Sequence, residues 1–247
     1  MKRYIPNLFT FLNMGSGLIA LIFVFQNHFE SAALFVFLGI FFDFFDGFFA
    51  RMFKVQSAVG LQLDSLADMI TSGVVPGAVV FFMLQMNVNE NLLFASSRWY
   101  NYMPYLGFIL TLAAGYRLAK FNIDTRQTVS FIGVPTPAMS IFVLSLPLVA
   151  LHSNIQILVH LVQSTGFLIA TVFVFSYLMN CELPLFALKF KSFDWQSNAE
   201  KYVFMGISIL LLIILGVTAF PLIIILYILI SMVLFWLHRE KPLEYQG

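Results

Sequence analysis

The strongest constraint on this chain is a succession of long apolar runs. A membrane-crossing helix needs about 20 mostly apolar residues. Read with that window, the sequence offers eight spans, at 5–26, 31–51, 63–86, 102–121, 134–152, 155–179, 202–218 and 220–237. Only 10% of the 247 residues are charged, while 60% are hydrophobic and 30 are Phe. Soluble domains carry about 25% charged residues. The expected fold class is therefore all-α, a polytopic integral membrane helix bundle of about eight transmembrane helices.

Charge orients this map. With an even number of spans, both termini fall on one side. Lys2, Arg3, Arg51, Lys54, Arg117, Lys120, Arg126, Lys189, Lys191, Lys201, Arg239 and Lys241 fall there too, leaving only Arg98 opposite. The bias predicts that both termini are cytoplasmic. No cleavable signal peptide is expected, because the run after "MKRYIPN" is too long for one and lacks a small-residue cleavage site. A net charge of +1 gives no reason to expect a nucleic-acid partner, and Cys181 alone cannot form an internal disulfide. The four histidines show no mutual spacing that predicts a metal site. The polar stretch at 189–201 reads as a solvated connector.

Against this background, "FFDFFDGFFARMFKVQSAVGLQLDSLAD" places four aspartates in apolar surroundings. A charge at the centre of a spanning helix costs roughly 2.5–3.5 kcal/mol, so four could cost on the order of 10 kcal/mol. Asp43 and Asp46 are three apart and Asp64 and Asp68 four apart, so each pair shares a helical face. Two antiparallel helices can thus offer two carboxylates each to one cavity. Gly47 and Ala50 keep the first face small, and Gly60 falls where the loop turns back. All-oxygen ligation favours Mg²⁺ or Mn²⁺ over zinc. Such ions usually bind through few carboxylates plus substrate phosphates, which suits a diphosphate.

The pattern Asp43-x2-Asp46-Gly47-x2-Ala50-Arg51-x8-Gly60-x3-Asp64-x3-Asp68 resembles the signature of the CDP-alcohol phosphatidyltransferase family. That resemblance implies transfer of a phosphatidyl group from a CDP-linked donor to an acceptor hydroxyl, with release of CMP. It implies two divalent ions at Asp43, Asp46, Asp64 and Asp68, with Asp68 as the general base. Gly47, Ala50 and Arg51 would receive the nucleotide. "PNLFTFLN" is similar to the family's first-helix motif and adds Asn7 and Thr10. The catalytic helices would occupy 1–152, with further helices of the same domain at 153–247. A homodimer is expected by resemblance alone.

The acceptor is read from other stretches. "LDSLADMITSGVVPG" and "YRLAKFNIDTRQTVSFIGVPTPA" resemble the version found in phosphatidylserine synthases of this family, with Lys120 where members usually carry Arg. The implied substrates are CDP-diacylglycerol, drawn from membrane lipid, and L-serine. Arg117, Lys120 and Arg126 would bind serine's carboxylate, the donor phosphates or anionic headgroups. Asn122 and Ser72 are weaker polar candidates, and Gly133, Pro135 and Pro137 read as loop-shaping. Glycerol 3-phosphate or inositol as acceptor stays open, as does a cation transporter or channel, since intramembrane acids also mark ion routes. The expected location is a bacterial or archaeal cytoplasmic membrane, with the site facing the cytoplasm.

Overall fold

The computed structural model describes residues 4–55, 57–90, 99–124, 131–185 and 195–239. Those residues form ten α-helices: α1 (Ile5–Phe25), α2 (Phe29–Phe53), α3 (Ala58–Asp68), α4 (Val75–Glu90), α5 (Phe108–Ile123), α6 (Thr136–His152), α7 (Gln156–Gln163), α8 (Thr165–Asn180), α9 (Trp195–Leu215) and α10 (Phe220–Arg239). Two short strands, β1 (Phe131–Ile132) and β2 (Pro184–Leu185), pair antiparallel. The chain is an all-α membrane protein.

By length and composition, four described helices can cross a membrane: Ile5–Phe25, Phe29–Phe53, Ala58–Asn89 and Asn198–Leu237. A fifth arises if α7 and α8, bent by 66°, make one span. The eight apolar runs therefore meet eight helical regions, not eight uninterrupted full-length spans. The 102–121 run is part 3-10 helix, Tyr100–Gly107 with Pro104 inside it, and α6 has only 17 residues. The 155–179 run breaks at Ser164, whose extended backbone starts a new helix and whose Oγ accepts from Phe167 N–H. The Asn198–Leu237 stretch folds back on itself. Phe204 and Tyr227 have ring centroids 5.9 Å apart, whereas 23 residues of straight helix would separate them by about 34 Å. The reversal falls at Gly216, where φ is +57°.

The remaining breaks follow from local chemistry. Pro6 opens α1 at a position where no N–H is needed. Lys54 closes α2 in a left-handed conformation, and Ser57 caps α3 by accepting from Gly60 N–H at 3.0 Å. The α2–α3 connection is thus short, and it returns the chain beside its own aspartates. Between α3 and α4 the helix widens into a π-helical turn, Met69–Val74. Pro76 offers no N–H to the carbonyl four residues before it, and a wider turn absorbs that defect. The resulting helix runs Ala58–Asn89. Its 32 residues reach about 48 Å, more than a hydrocarbon core of about 30 Å.

Packing puts small residues where helices meet. α1 turns a stripe of Thr10, Asn13, Ser16, Gly17 and Ala20 inward. A Cβ added at Gly39 of α2 would lie 2.7 Å from Thr71 Cγ2 and 2.9 Å from Asn13 Oδ1. Close approach of this kind is how membrane helices gain contact without a hydrophobic driving force between them. α6 is buried almost all round from Met139 to Val149, so it forms the bundle's centre. Some Phe residues point the other way: Phe41 and Phe48 on α2 are exposed, as lipid-facing side chains are. Away from the aspartates, His152 Nε2 meets Glu30 Oε1 at 2.6 Å.

Candidate active site between two cavities

Five helix ends converge on the aspartates: the start of α1, the end of α2, the start of α3, the end of α5 and the start of α6. Asp43, Asp46 and Asp64 each bring a carboxylate oxygen to within 4.8 Å of the others. Asp68 stands outside that trio, and Asn13 Nδ2 donates to its Oδ1 at 3.4 Å. Thr10 Oγ1 lies 2.8 Å from Asp46 Oδ2 and 3.1 Å from Pro6 O, and its single proton can serve one at a time.

Three carboxylates this close, in apolar surroundings, are relieved of their mutual repulsion either by protonation or by a cation between them. The trio fits one, because Asp64 Oδ1 is buried and no protein group donates to it. The donors are all oxygen, the set that suits Mg²⁺ or Mn²⁺.

The carboxylates also divide the space around them. A first cavity of about 470 Å³ lies against α1 and the α2–α3 turn, lined by Asn7, Thr10, Ala50, Ser57 and Gly60 among others. A second, of about 430 Å³, lies on the α5 and α6 side, lined by Asp43, Asp68, Arg117, Phe121, Asn122, Pro135, Thr136 and Pro137 among others. Asp46, Gly47, Arg51 and Asp64 border both. Gly47 lies beside the Arg51 guanidinium, and an added Cβ would rest in ordinary contact with it, 3.4 Å from Nη1.

This geometry sorts the residues expected from sequence. Asn7, Thr10, Gly47, Ala50, Arg51 and Gly60 gather at the first cavity. Gly60, however, is not in the turn. It sits in the first turn of α3, where its N–H receives the Ser57 cap and a Cβ would crowd Ser57 Oγ at 3.1 Å. Arg117 reaches the second cavity, 7% exposed, with its guanidinium carbon 5.9 Å from the Phe121 ring centroid. Lys120 lines neither cavity and stands in the last turn of α5, where a cation suits the helix C-terminus. Arg126 lies outside the described residues. Asn122 lines the second cavity and donates from Nδ2 to Ser65 Oγ at 2.9 Å. Ser72 is buried but lines neither.

Asn13 and Thr136 are among the residues that were not assigned to the site from sequence, and Pro135, read there as loop-shaping, also lines the second cavity. Asn13 was legible in principle, because it follows Thr10 by three residues on the same face of α1. Thr136 lies inside the quoted stretch ending in "VPTPA" but had no signal of its own, and Pro135 was given a loop-shaping role only. Their place at the second cavity depends on how the α5–α6 connection returns to the bundle.

Residues 3–181 match the sequence model of the CDP-alcohol phosphatidyltransferase family. The chain belongs to that family. Its members are metal-dependent, and the acidic trio is consistent with that. A CDP-diacylglycerol–serine O-phosphatidyltransferase of Bacillus subtilis is 35% identical over 139 residues, covering 55% of this chain and 70% of the relative. One from Helicobacter pylori is 31% identical over 140 residues, 56% of this chain and 54% of the relative. An archaetidylserine synthase of Methanothermobacter thermautotrophicus is 25% identical over 154 residues, 62% of this chain and 61% of the relative. The chain thus spans little more than half the length of the second of these relatives. This CDP-alcohol phosphatidyltransferase also has helices α9 and α10 beyond the matched region.

Proposed function

We propose that this phosphatidyltransferase is a phosphatidylserine synthase, moving the phosphatidyl group of CDP-diacylglycerol to the hydroxyl of L-serine and releasing CMP. The observation that carries the reading is the pair of cavities sharing one wall of carboxylates. A reaction between two substrates needs two compartments that meet at the reacting atoms. The names of the relatives support serine as the acceptor.

In this reading Asn7, Thr10, Gly47, Ala50 and Arg51 receive the cytidine nucleotide in the first cavity. Asp43, Asp46 and Asp64 hold Mg²⁺ or Mn²⁺, and two ions are consistent with four nearby carboxylates. Bound there, divalent cations supply charge neutralisation for the diphosphate. Thr10 keeps Asp46 oriented. The serine hydroxyl enters from the second cavity and its oxygen bonds to the phosphatidyl phosphorus. The bond from that phosphorus to the bridging oxygen breaks, and CMP departs with that oxygen. Asp68 takes the hydroxyl proton, steadied by Asn13. Arg117 supplies the positive charge of the acceptor side, and Lys120 is assigned to the C-terminus of α5 and to anionic headgroups. Phe44, 63% exposed and lining the second cavity, marks a route for acyl chains from the bilayer. The clustering of Lys and Arg supports an eight-span topology with the site facing the cytoplasm. A homodimer rests on the resemblance alone.

CMP release by the purified chain in detergent tests the reading. CDP-diacylglycerol with Mn²⁺ or Mg²⁺ would be offered L-serine, glycerol 3-phosphate or inositol in separate reactions. Release that needs both serine and metal, and that disappears in Asp68→Asn, is the expected result. Release with another acceptor would overturn serine as the substrate while keeping the family. Cation flux without any CMP release would overturn the enzyme itself.

A further inference from the structure

The chemistry above gives no part to the helices that follow the family-matched region. That region ends at residue 181, and β2 begins just beyond it. β2 is also the seam through which the added helices reach the second cavity. On one side it pairs with β1, Phe131 against Leu185 and Ile132 against Pro184. Two further bonds continue the seam: Gly133 N–H donates to Leu183 O at 2.8 Å, and Val134 N–H to Leu178 O at 2.9 Å. Gly133 takes a φ of +73°, and a Cβ there would collide with the Met179 carbonyl, so the close approach depends on glycine. Immediately afterwards Pro135, Thr136 and Pro137 open α6 and line the second cavity. The two prolines have fixed φ, so this short segment carries the position of the seam to the cavity wall.

The other side of β2 meets α10, which packs along α6 as well. Leu185 is 1% exposed and belongs to the same apolar core as Tyr227 and Ile228 of α10. Tyr227, Ile228 and Ser231 recur at helical spacing and form the buried face of α10. Leu229, Met232 and Val233 are exposed, as lipid-facing side chains are. A ribbon of two short strands is marginally stable by itself. Its geometry must come from what packs against it, which here is α10 on one side and the end of α8 on the other. The first cavity is built otherwise, with a lining drawn from α1, α2, α3 and the turn between the last two.

We propose that α10 and β2 form a brace that holds the start of α6 in place at the second cavity, with Leu185 as its positioning residue. Helices outside the family-matched region thereby set how well the acceptor is bound, and leave the donor alone. This rests on the reading of the second cavity as the acceptor's.

The test uses the full chain in detergent with CDP-diacylglycerol, Mg²⁺ and L-serine. Leu185→Ala leaves a void beneath the brace. KM for L-serine should rise about tenfold, well within the roughly hundredfold loss that a misplacement of about 1 Å can cause. KM for CDP-diacylglycerol should stay where it was, and Leu185→Met, which conserves volume, should restore the serine value. Leu84→Ala controls for packing alone, because Leu84 is fully buried on α4 and lines neither cavity. It should lower the amount of active protein without moving either KM. An unmoved serine KM in Leu185→Ala, an equal rise in KM for CDP-diacylglycerol, or an equal serine shift in Leu84→Ala would each overturn the brace.

The unsubstituted protein gives a second readout that needs no folded variant. An occupant of the second cavity damps local opening of the segment that lines it. Adding L-serine to protein already holding CMP and Mg²⁺ should therefore slow hydrogen exchange at the Gly133 and Val134 amides. Exchange unchanged by serine, or slowed as much by CMP and Mg²⁺ alone, would also overturn the brace. Absence of serine turnover by the unsubstituted protein sinks the serine reading instead. The brace is then judged by KM for glycerol 3-phosphate or inositol, whichever supports CMP release.

Discussion

The two cavities are nearly equal in volume, about 470 and 430 Å³, yet they are built differently. The first is assembled locally. Residues 6–10, 46–51 and 55–64 line it, all from α1, α2, α3 and the turn between the last two. Two of its polar side chains are tied up within the protein, Ser57 Oγ by Gly60 N–H and Thr10 by Asp46. The second draws on residues far apart in sequence, from Asp43 to Pro137, and keeps buried donors unused. On the proposed assignment, the nucleotide site is short and contiguous in sequence, whereas the acceptor site is gathered from distant segments.

Substitutions should separate the compartments in a graded way. The largest effect belongs to the shared wall: Asp64→Asn should remove measurable CMP release with every acceptor, because it takes one carboxylate from the trio that both cavities border. Retained turnover would show that the partition is not the reaction centre. An intermediate effect belongs to Ala50→Leu, which fills the first cavity only. Steady-state kinetics should show KM for CDP-diacylglycerol raised about tenfold, as overpacking of roughly 1–3 kcal/mol implies, with KM for serine unaffected. A serine effect of equal size would dissolve the distinction between cavities. The smallest effect belongs to Lys120→Gln, a residue that lines neither. Both KM values should move by less than about twofold, as expected for a half-buried charge that lines neither cavity; a larger loss confined to serine would extend the acceptor site beyond the second cavity.

These differences also explain what the sequence could and could not disclose. The aspartate motif was readable because its residues repeat at helical intervals and because carboxylates in apolar runs demand a reason. The first cavity was readable for the same cause, being built within about 60 residues by fixed offsets. Arg117 and Lys120 looked equivalent in sequence, three apart on one helix, yet Arg117 is buried and lines the second cavity whereas Lys120 is half-buried and lines neither. Thr136 was invisible because its position is set by a hydrogen bond from Gly133 to Leu183, fifty residues downstream. The π-helical turn after Asp68 and the break at Ser164 were also beyond an apolar window, which counts hydrophobic residues and is blind to backbone geometry.

The contact among Gly39, Thr71 and Asn13 bears on how a mutational survey of this enzyme should be read. Gly39 lies one helical turn before Asp43, and no side chain larger than hydrogen fits there without displacing Thr71 or Asn13. A library scored by growth or product alone would mark position 39 as intolerant as position 64, inviting a chemical role for a residue that lines neither cavity. Scoring protein abundance alongside turnover separates the two. Lesions at Gly39 deplete the folded protein in the membrane, whereas lesions at Asp64 leave a full complement of silent enzyme.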